Sequence, residues 1–143
     1  RAKISPADKA LEATPMHWAA RDGHVEALQT LFELGAHPEF VDRAGNSALL
    51  YAARNGHVRV LERLVSLGAR LEAVNRDGKD ALDLAAEMGH TSCALKLMDL
   101  GLEVRARDAY RGSAAALADL RGHVHTAAAI RNYQGRLGGF MRR

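Results

Sequence analysis

The sequence predicts an all-α repeat solenoid, a stack of about four helix-turn-helix units. Three observations carry that reading. Gly-His recurs at 23–24, 56–57, 89–90 and 122–123, each step being 33 residues. Leu-Gly recurs at 34–35, 67–68 and 100–101 with the same step. The clearest unit, residues 47–69, reads as a short helix, a Gly turn, a second helix and a Gly stop. A period near this length means stacked supersecondary units that bury their apolar faces on each other. By length the chain of 143 residues is one domain, and it has no apolar run long enough to span a membrane.

Taken in order, residues 1–13 are expected to form an N-terminal cap. Ser5-Pro6 followed by Asp8 is a helix start, so a short helix is predicted over about 6–12 that covers the open apolar end of the stack, the alternative being the remnant of an upstream repeat. Thr14, Ser47, Asp80 and Ser113 then occupy one phase, and all four are N-cap residue types. Helix pairs are therefore placed with their starts near 14, 47, 80 and 113. The alanine pairs at 19–20, 52–53 and 85–86 are small where two helices approach closely. Gly23, Gly56, Gly89 and Gly122 end the first helices, because glycine enters a left-handed turn without steric cost. The following histidines read as fold residues that bond across the turn or cap the next helix, not as metal ligands.

The second helices carry apolar stripes at helical spacing. These are Val25, Leu28, Leu31 and Phe32; then Val58, Leu61, Leu64 and Val65; then Cys93, Ala94, Leu97 and Met98. The fourth stripe thins to Val124, Ala127, Ala128 and Ile130, as expected of a capping repeat. Between repeats, residues 40–46, 74–79 and 107–112 open on Asp or Asn and close near Gly, which is hairpin-turn chemistry. In the third, Arg111 stands at the phase of Gly45 and Gly78, so a distorted turn is expected there.

Net charge is +3, but four arginines and no acid fall between 131 and 143. The basic character belongs to a C-terminal tail, 135–143, and not to the repeat body, 1–134. The lone cysteine, Cys93, forms no internal disulfide and is read as a small buried residue, which fits a reducing compartment. No nucleophile elbow, zinc-binding helix motif, paired cysteines or phosphate-binding glycine fingerprint is present, so no enzyme activity, metal or cofactor is expected. The chain begins Arg1-Ala2-Lys3 without Met, which reads as a fragment or a processed chain.

Thr14-Pro15-Met16-His17-Trp18-Ala19-Ala20 lies close to the Thr-Pro-Leu-His-x-Ala signature. Residues 47–53 and 80–86 are degraded copies, and 113–118 is the weakest. On these motifs and the period, residues 14–134 resemble the ankyrin repeat family. The resemblance implies short two-stranded β-hairpin fingers projecting from the stack, giving an L-shaped section. It also implies a concave partner-binding surface built from finger tips and the exposed side of the first helices. Carried over by position, that surface holds Val41, Arg43, Ala44, Asn46, Arg54 and Asn55. The next repeat adds Val74, Arg76, Asp77, Lys79, Glu87 and Met88; the last adds Arg107, Ala109, Tyr110, Asp119 and Leu120; Arg21 and Asp22 belong to the first. The asparagine hydroxylated in some family members is replaced by Glu39, Glu72 and Arg105, so no such modification is expected.

The function these features imply is a non-catalytic protein–protein interaction module, an adaptor or scaffold. A row of Arg43, Arg54, Arg76 and Arg107 suits a partner with acidic side chains around an apolar anchor. The chain itself is expected to be monomeric, intracellular (cytoplasmic or nuclear) and without membrane contact. Two other readings stand beside this one. A structural subunit of a large assembly would be anchored through the basic tail, the one segment suited to nucleic acid. A targeting or regulatory domain of a larger protein is the third.

Overall fold

The computed structural model describes residues 12–104 and 113–133. Among them lie eight helices in four antiparallel pairs. They are α1 (Pro15–Asp22) with α2 (Val25–Glu33), α3 (Ala48–Asn55) with α4 (Val58–Ser66), α5 (Ala81–Glu87) with α6 (Thr91–Asp99), and α7 (Ala114–Leu120) with α8 (Val124–Arg131). The first helices pack in sequence, α1 on α3, α3 on α5 and α5 on α7. The second helices form a parallel row, α2, α4, α6 and α8, each on the next. The predicted solenoid is the observed fold. The N-terminal cap expected over 6–12 lies outside the described residues except for Glu12, whose φ of 57° is not helical.

All four predicted caps form. The side chains of Thr14, Ser47, Asp80 and Ser113 each accept the backbone N–H three residues on, from His17, Leu50, Asp83 and Ala116. Each satisfies a donor that the helix start would otherwise leave unpaired. In the third repeat the arrangement is reciprocal, since the Asp83 carboxylate also accepts the Asp80 N–H at 3.0 Å.

The helix ends explain the Gly-His pair. The N–H groups of His24, His57, His90 and His123 donate to the carbonyls of Ala19, Ala52, Ala85 and Ala118, five residues back. This bond closes only if the intervening residue is left-handed, and Gly56 sits there with φ 80°. A second constraint comes from the next repeat. A Cβ on Gly56 would stand 2.7 Å from Nδ1 of His90, and one on Gly23 would stand 2.7 Å from Nδ1 of His57. The Nε2 of His57 donates to the Arg21 carbonyl at 2.8 Å. The histidine therefore does not cap its own helix; it bridges to the end of the preceding first helix.

The core runs through the stack. Leu28, Leu61, Ala94 and Ala127 are equivalent and fully buried, as are the alanines at 20, 52–53 and 85–86. The buried Cys93 thiol is pushed up to about 11 by desolvation, which leaves it protonated and unreactive. Outer polar contacts repeat the nearest-neighbour pattern. Arg63 donates to Gln29 at 2.9 Å, Lys96 pairs with Glu62 at 2.9 Å, and Thr91 bonds Thr126 at 2.7 Å.

Two expectations need correction. Val124 and Ala128 do not belong to a buried stripe: Val124 is 68% exposed and Ala128 is exposed, and Thr126 is buried with Ala127 and Ile130 instead. Val25 and Val58 sit against a following repeat, whereas no later repeat covers Val124 among the described residues. Ala128 shares the phase of Glu62, which is exposed. The fingers also contain no strand among the described residues. They are tight turns, each closed by two backbone bonds: Asp42 N–H to Asn46 O and Gly45 N–H to Asp42 O, then Asn75 N–H to Lys79 O and Gly78 N–H to Asn75 O. Too few residues flank each turn to build a ladder.

Replacing Gly56 by Ala is expected to lower stability by roughly 2–4 kcal/mol, combining left-handed strain with the clash against His90. Gly68 also has positive φ, 98°, but a Cβ there would meet nothing within 4 Å. Gly68→Ala is therefore expected to cost only about 1–2 kcal/mol. Urea unfolding of both variants checks the difference; equal losses would remove the role assigned to the histidine.

Candidate interaction surface

The surface begins with the finger turns. Asp42 is 4% exposed, and its Oδ1 accepts the N–H groups of Ala44 and Asn46, both at 2.9 Å. Asn75 does the same one repeat later, accepting from Asp77 at 2.9 Å and Lys79 at 3.1 Å. These side chains fix the tips without a sheet. Successive tips are tied together by Arg76 N–H donating to Ala44 O at 2.9 Å and by Asn75 Nδ2 donating to Asn46 Oδ1 at 3.0 Å.

The tips are tied to the helices by a buried network in the first joint. The hydroxyl of Tyr51 on α3 donates to the other oxygen of Asp42. The ring of His17 on α1 stacks tilted on Tyr51, with centroids 5.0 Å apart. Nε2 of His17 donates to the Asn46 carbonyl at 2.8 Å, because a carbonyl can only accept. Nδ1 then carries no proton and accepts the Thr14 N–H at 2.9 Å. Burial depresses the His17 pKa, outweighing the nearby Asp42 carboxylate, and the neutral ring is the form this geometry needs. Desolvation and the Asp42 bond push the Tyr51 pKa well up, so its hydroxyl stays a donor.

On this frame stand the side chains of the first helices. The guanidinium of Arg21 lies over the Trp18 ring at 4.4 Å, and that of Arg54 over the Tyr51 ring at 5.2 Å. Trp18 meets Tyr51 edge-on, with centroids 6.3 Å apart. Arg21 also pairs with its exposed neighbour Asp22 at 2.8 Å and holds that carboxyl below its usual range. In the third repeat Glu87 is held between two cations, Lys79 at 2.7 Å and Arg121 at 2.9 Å.

The predicted site residues divide accordingly. Arg43, Asn55, Arg76, Asp77 and Met88 are exposed on the tips and first helices, and Arg54 is half-buried on its ring. Asn46 is not a free contact: it is 6% exposed and serves the turn, the next finger and His17. Glu87 is likewise 8% exposed and closed by its ion pairs, with Lys79 half-buried against it. Both corrections have one cause, which is that a groove position can be spent on holding its neighbours. Arg107 and Tyr110 lie outside the described residues. Sequence reasoning missed Trp18, which shares the phase of Tyr51 and Leu84 and presents an aromatic face under Arg21. Its place in the signature motif gave no sign of that half-exposed ring. Exposed apolar groups complete the surface: Val41, Val74 and Met88 at 51%, 43% and 48%, and Leu120 at 78%.

Among the described residues no group of three or more His, Cys, Asp or Glu side chains is placed to hold a metal ion. No helix among them is long and apolar enough to cross a membrane. A family model described as ankyrin repeats, in three copies, matches residues 16–108. A search of curated proteins found no match.

The His17 pKa is lower folded than unfolded, so its contribution to stability is complete above about pH 6.5 and is lost as pH falls below that value. Thermal unfolding is expected to show a fall in Tm from pH 7 to pH 5 that is shallower in His17→Gln. Identical pH profiles would remove the neutral-ring requirement. Tyr51→Phe, which leaves the buried Asp42 oxygen without its donor, is expected to cost about 1–3 kcal/mol in chemical denaturation.

Proposed function

The chain belongs to the ankyrin repeat family, and from that premise we propose that it is a protein–protein interaction module acting as an adaptor or scaffold through its concave face. Ankyrin repeats are generally such modules and typically non-enzymatic. The observation that supports the concave face is a set of exposed Arg43, Arg76 and Met88 with half-buried Arg54, carried on turns and helices braced by backbone bonds. A surface fixed in this way loses little entropy when a partner docks. Arginine, aromatic residues and methionine are also the types enriched where partners bind. An intracellular setting, cytoplasmic or nuclear, is part of the proposal.

The competing reading, retention by acidic assemblies or nucleic acid through the tail, draws on the four arginines and absent acids from 131 to 143. The two readings predict different losses. With the concave face as the site, a variant carrying Arg43→Ala, Arg54→Ala and Arg76→Ala captures its partner at least about tenfold more weakly, and truncation after Gln134 leaves capture intact. With the tail as the site, truncation abolishes capture, and binding falls steeply with salt for both full-length forms. Quantitative affinity capture at low and high salt, with folding checked by circular dichroism, separates them.

A further inference from the structure

The buried polar groups of the first joint do not stop at the first finger. They form one chain of hydrogen bonds from the start of α1 into the second finger. The Thr14 N–H donates to Nδ1 of His17, and Nε2 of that ring donates to the Asn46 carbonyl at 2.8 Å. Asn46 in turn accepts Asn75 Nδ2 on its side-chain oxygen at 3.0 Å. This holds the Asn75 amide with its oxygen toward its own turn, where it accepts the Asp77 and Lys79 N–H groups. His17 is 1% exposed and Asn46 6%, so neither exchanges these partners for water without moving.

Of the four side chains in this chain, only His17 titrates near neutral pH. The charged and titratable groups around its ring come from three elements. Asp42 on the finger favours a proton on it, and burial opposes this with the larger effect. Tyr51 on α3 stacks tilted on it and carries Arg54 over its own ring. Arg21 lies one turn further along α1, and its charge, like that of Arg54, reaches Tyr51. A second ring proton would stand on Nδ1, where the Thr14 N–H now points. The Thr14 hydroxyl oxygen, 2.9 Å away, can accept that proton, but the Thr14 N–H is then left facing a donor, and a positive charge sits in a site closed to water.

Resting on the interaction-module reading above, we propose that His17 is a proton-operated latch on both described fingers. When the ring takes its second proton it releases Asn46, Asn46 loosens its hold on Asn75, and the concave face grips a partner less well. The latch is closed at neutral pH and opens as pH falls below about 6.5, the value of a free imidazole. This goes beyond a loss of stability in acid, because the first loosening is placed in the fingers and not in the helices.

Amide NMR of the full chain from pH 7.5 to pH 5 tests this. The signals of Asn46, Arg76, Asp77 and Lys79 are expected to move together with the His17 ring signal. His17→Gln keeps a donor and an acceptor without titrating, and is expected to hold them still. His37→Gln, which removes the imidazole in contact with Phe40, is expected to change nothing. Asn75→Ser keeps a turn-forming oxygen but is too short to reach Asn46. In that variant Asn46 should still follow His17, while Arg76, Asp77 and Lys79 should not. Binding is read with a peptide selected from a random phage library on the full chain at pH 7.5 and weakened by Arg54→Ala. Between pH 7.5 and pH 5 its affinity is expected to fall about threefold to tenfold further for the unsubstituted chain than for His17→Gln, a comparison that cancels titration of the peptide itself. Second-finger signals that ignore His17, or that still move in His17→Gln, overturn the latch. So does an equal fall in affinity for both proteins, or helix loss by circular dichroism at the same pH as the finger shifts. All of these leave the interaction-module reading standing. A library that yields no peptide weakened by Arg54→Ala overturns that reading, and the effect of the latch on binding with it, whatever the amide signals do.

Discussion

Everything in this molecule hangs on the contact between a left-handed glycine and the imidazole of the repeat that follows. The bond from the His57 N–H to Ala52 O turns the chain, and the same histidine's ring lies on Gly23 and donates to Arg21 O. A helix end is thereby finished by its successor. This sets how near α1 and α3 approach, and the buried alanines at 20 and 53 are the side chains that such closeness allows. The repeat length of 33 is the sequence record of that joint.

The fold was legible because its signals are local and recur. An N-cap at 14 repeated at 47, 80 and 113 needs no tertiary knowledge, and all four caps form. The site was legible in outline only. Asn46 and Glu87 occupy positions that point toward the groove, yet one is consumed by His17 and Asn75 and the other by Lys79 and Arg121. Such losses depend on partners 8, 29 or 34 residues away, which phase alone does not reveal. Trp18 failed in the opposite sense, hidden inside a motif read as scaffold. Among the described residues the expected hairpins are turns without strands, because turn chemistry fixes a turn and says nothing of how far the pairing extends beyond it; the third finger, 107–112, lies outside those residues.

The turns compensate for the missing strands by side-chain means. Asp42 and Asn75 each gather two backbone N–H groups, and Asp42 is further held by the Tyr51 hydroxyl. A carboxylate that is nearly buried and fully engaged is a rigid foot for the finger above it. The exposed arginines on and beside the fingers are therefore carried by a frame whose polar groups are already matched.

The joints are nevertheless unequal. The first is sewn by His17, Thr14, Asn46, Asp42 and Tyr51, whereas the residues in the His17 phase of later repeats are Leu50, Asp83 and Ala116. The last rests on small residues, Ala115, Ala118 and Ala127 with Ile130, and on the polar contacts of Thr126, Arg121 and Tyr133. Under mechanical tension such a stack behaves as links of graded strength. The first joint, with its buried polar network, and the last, with its small side chains, would then answer load differently.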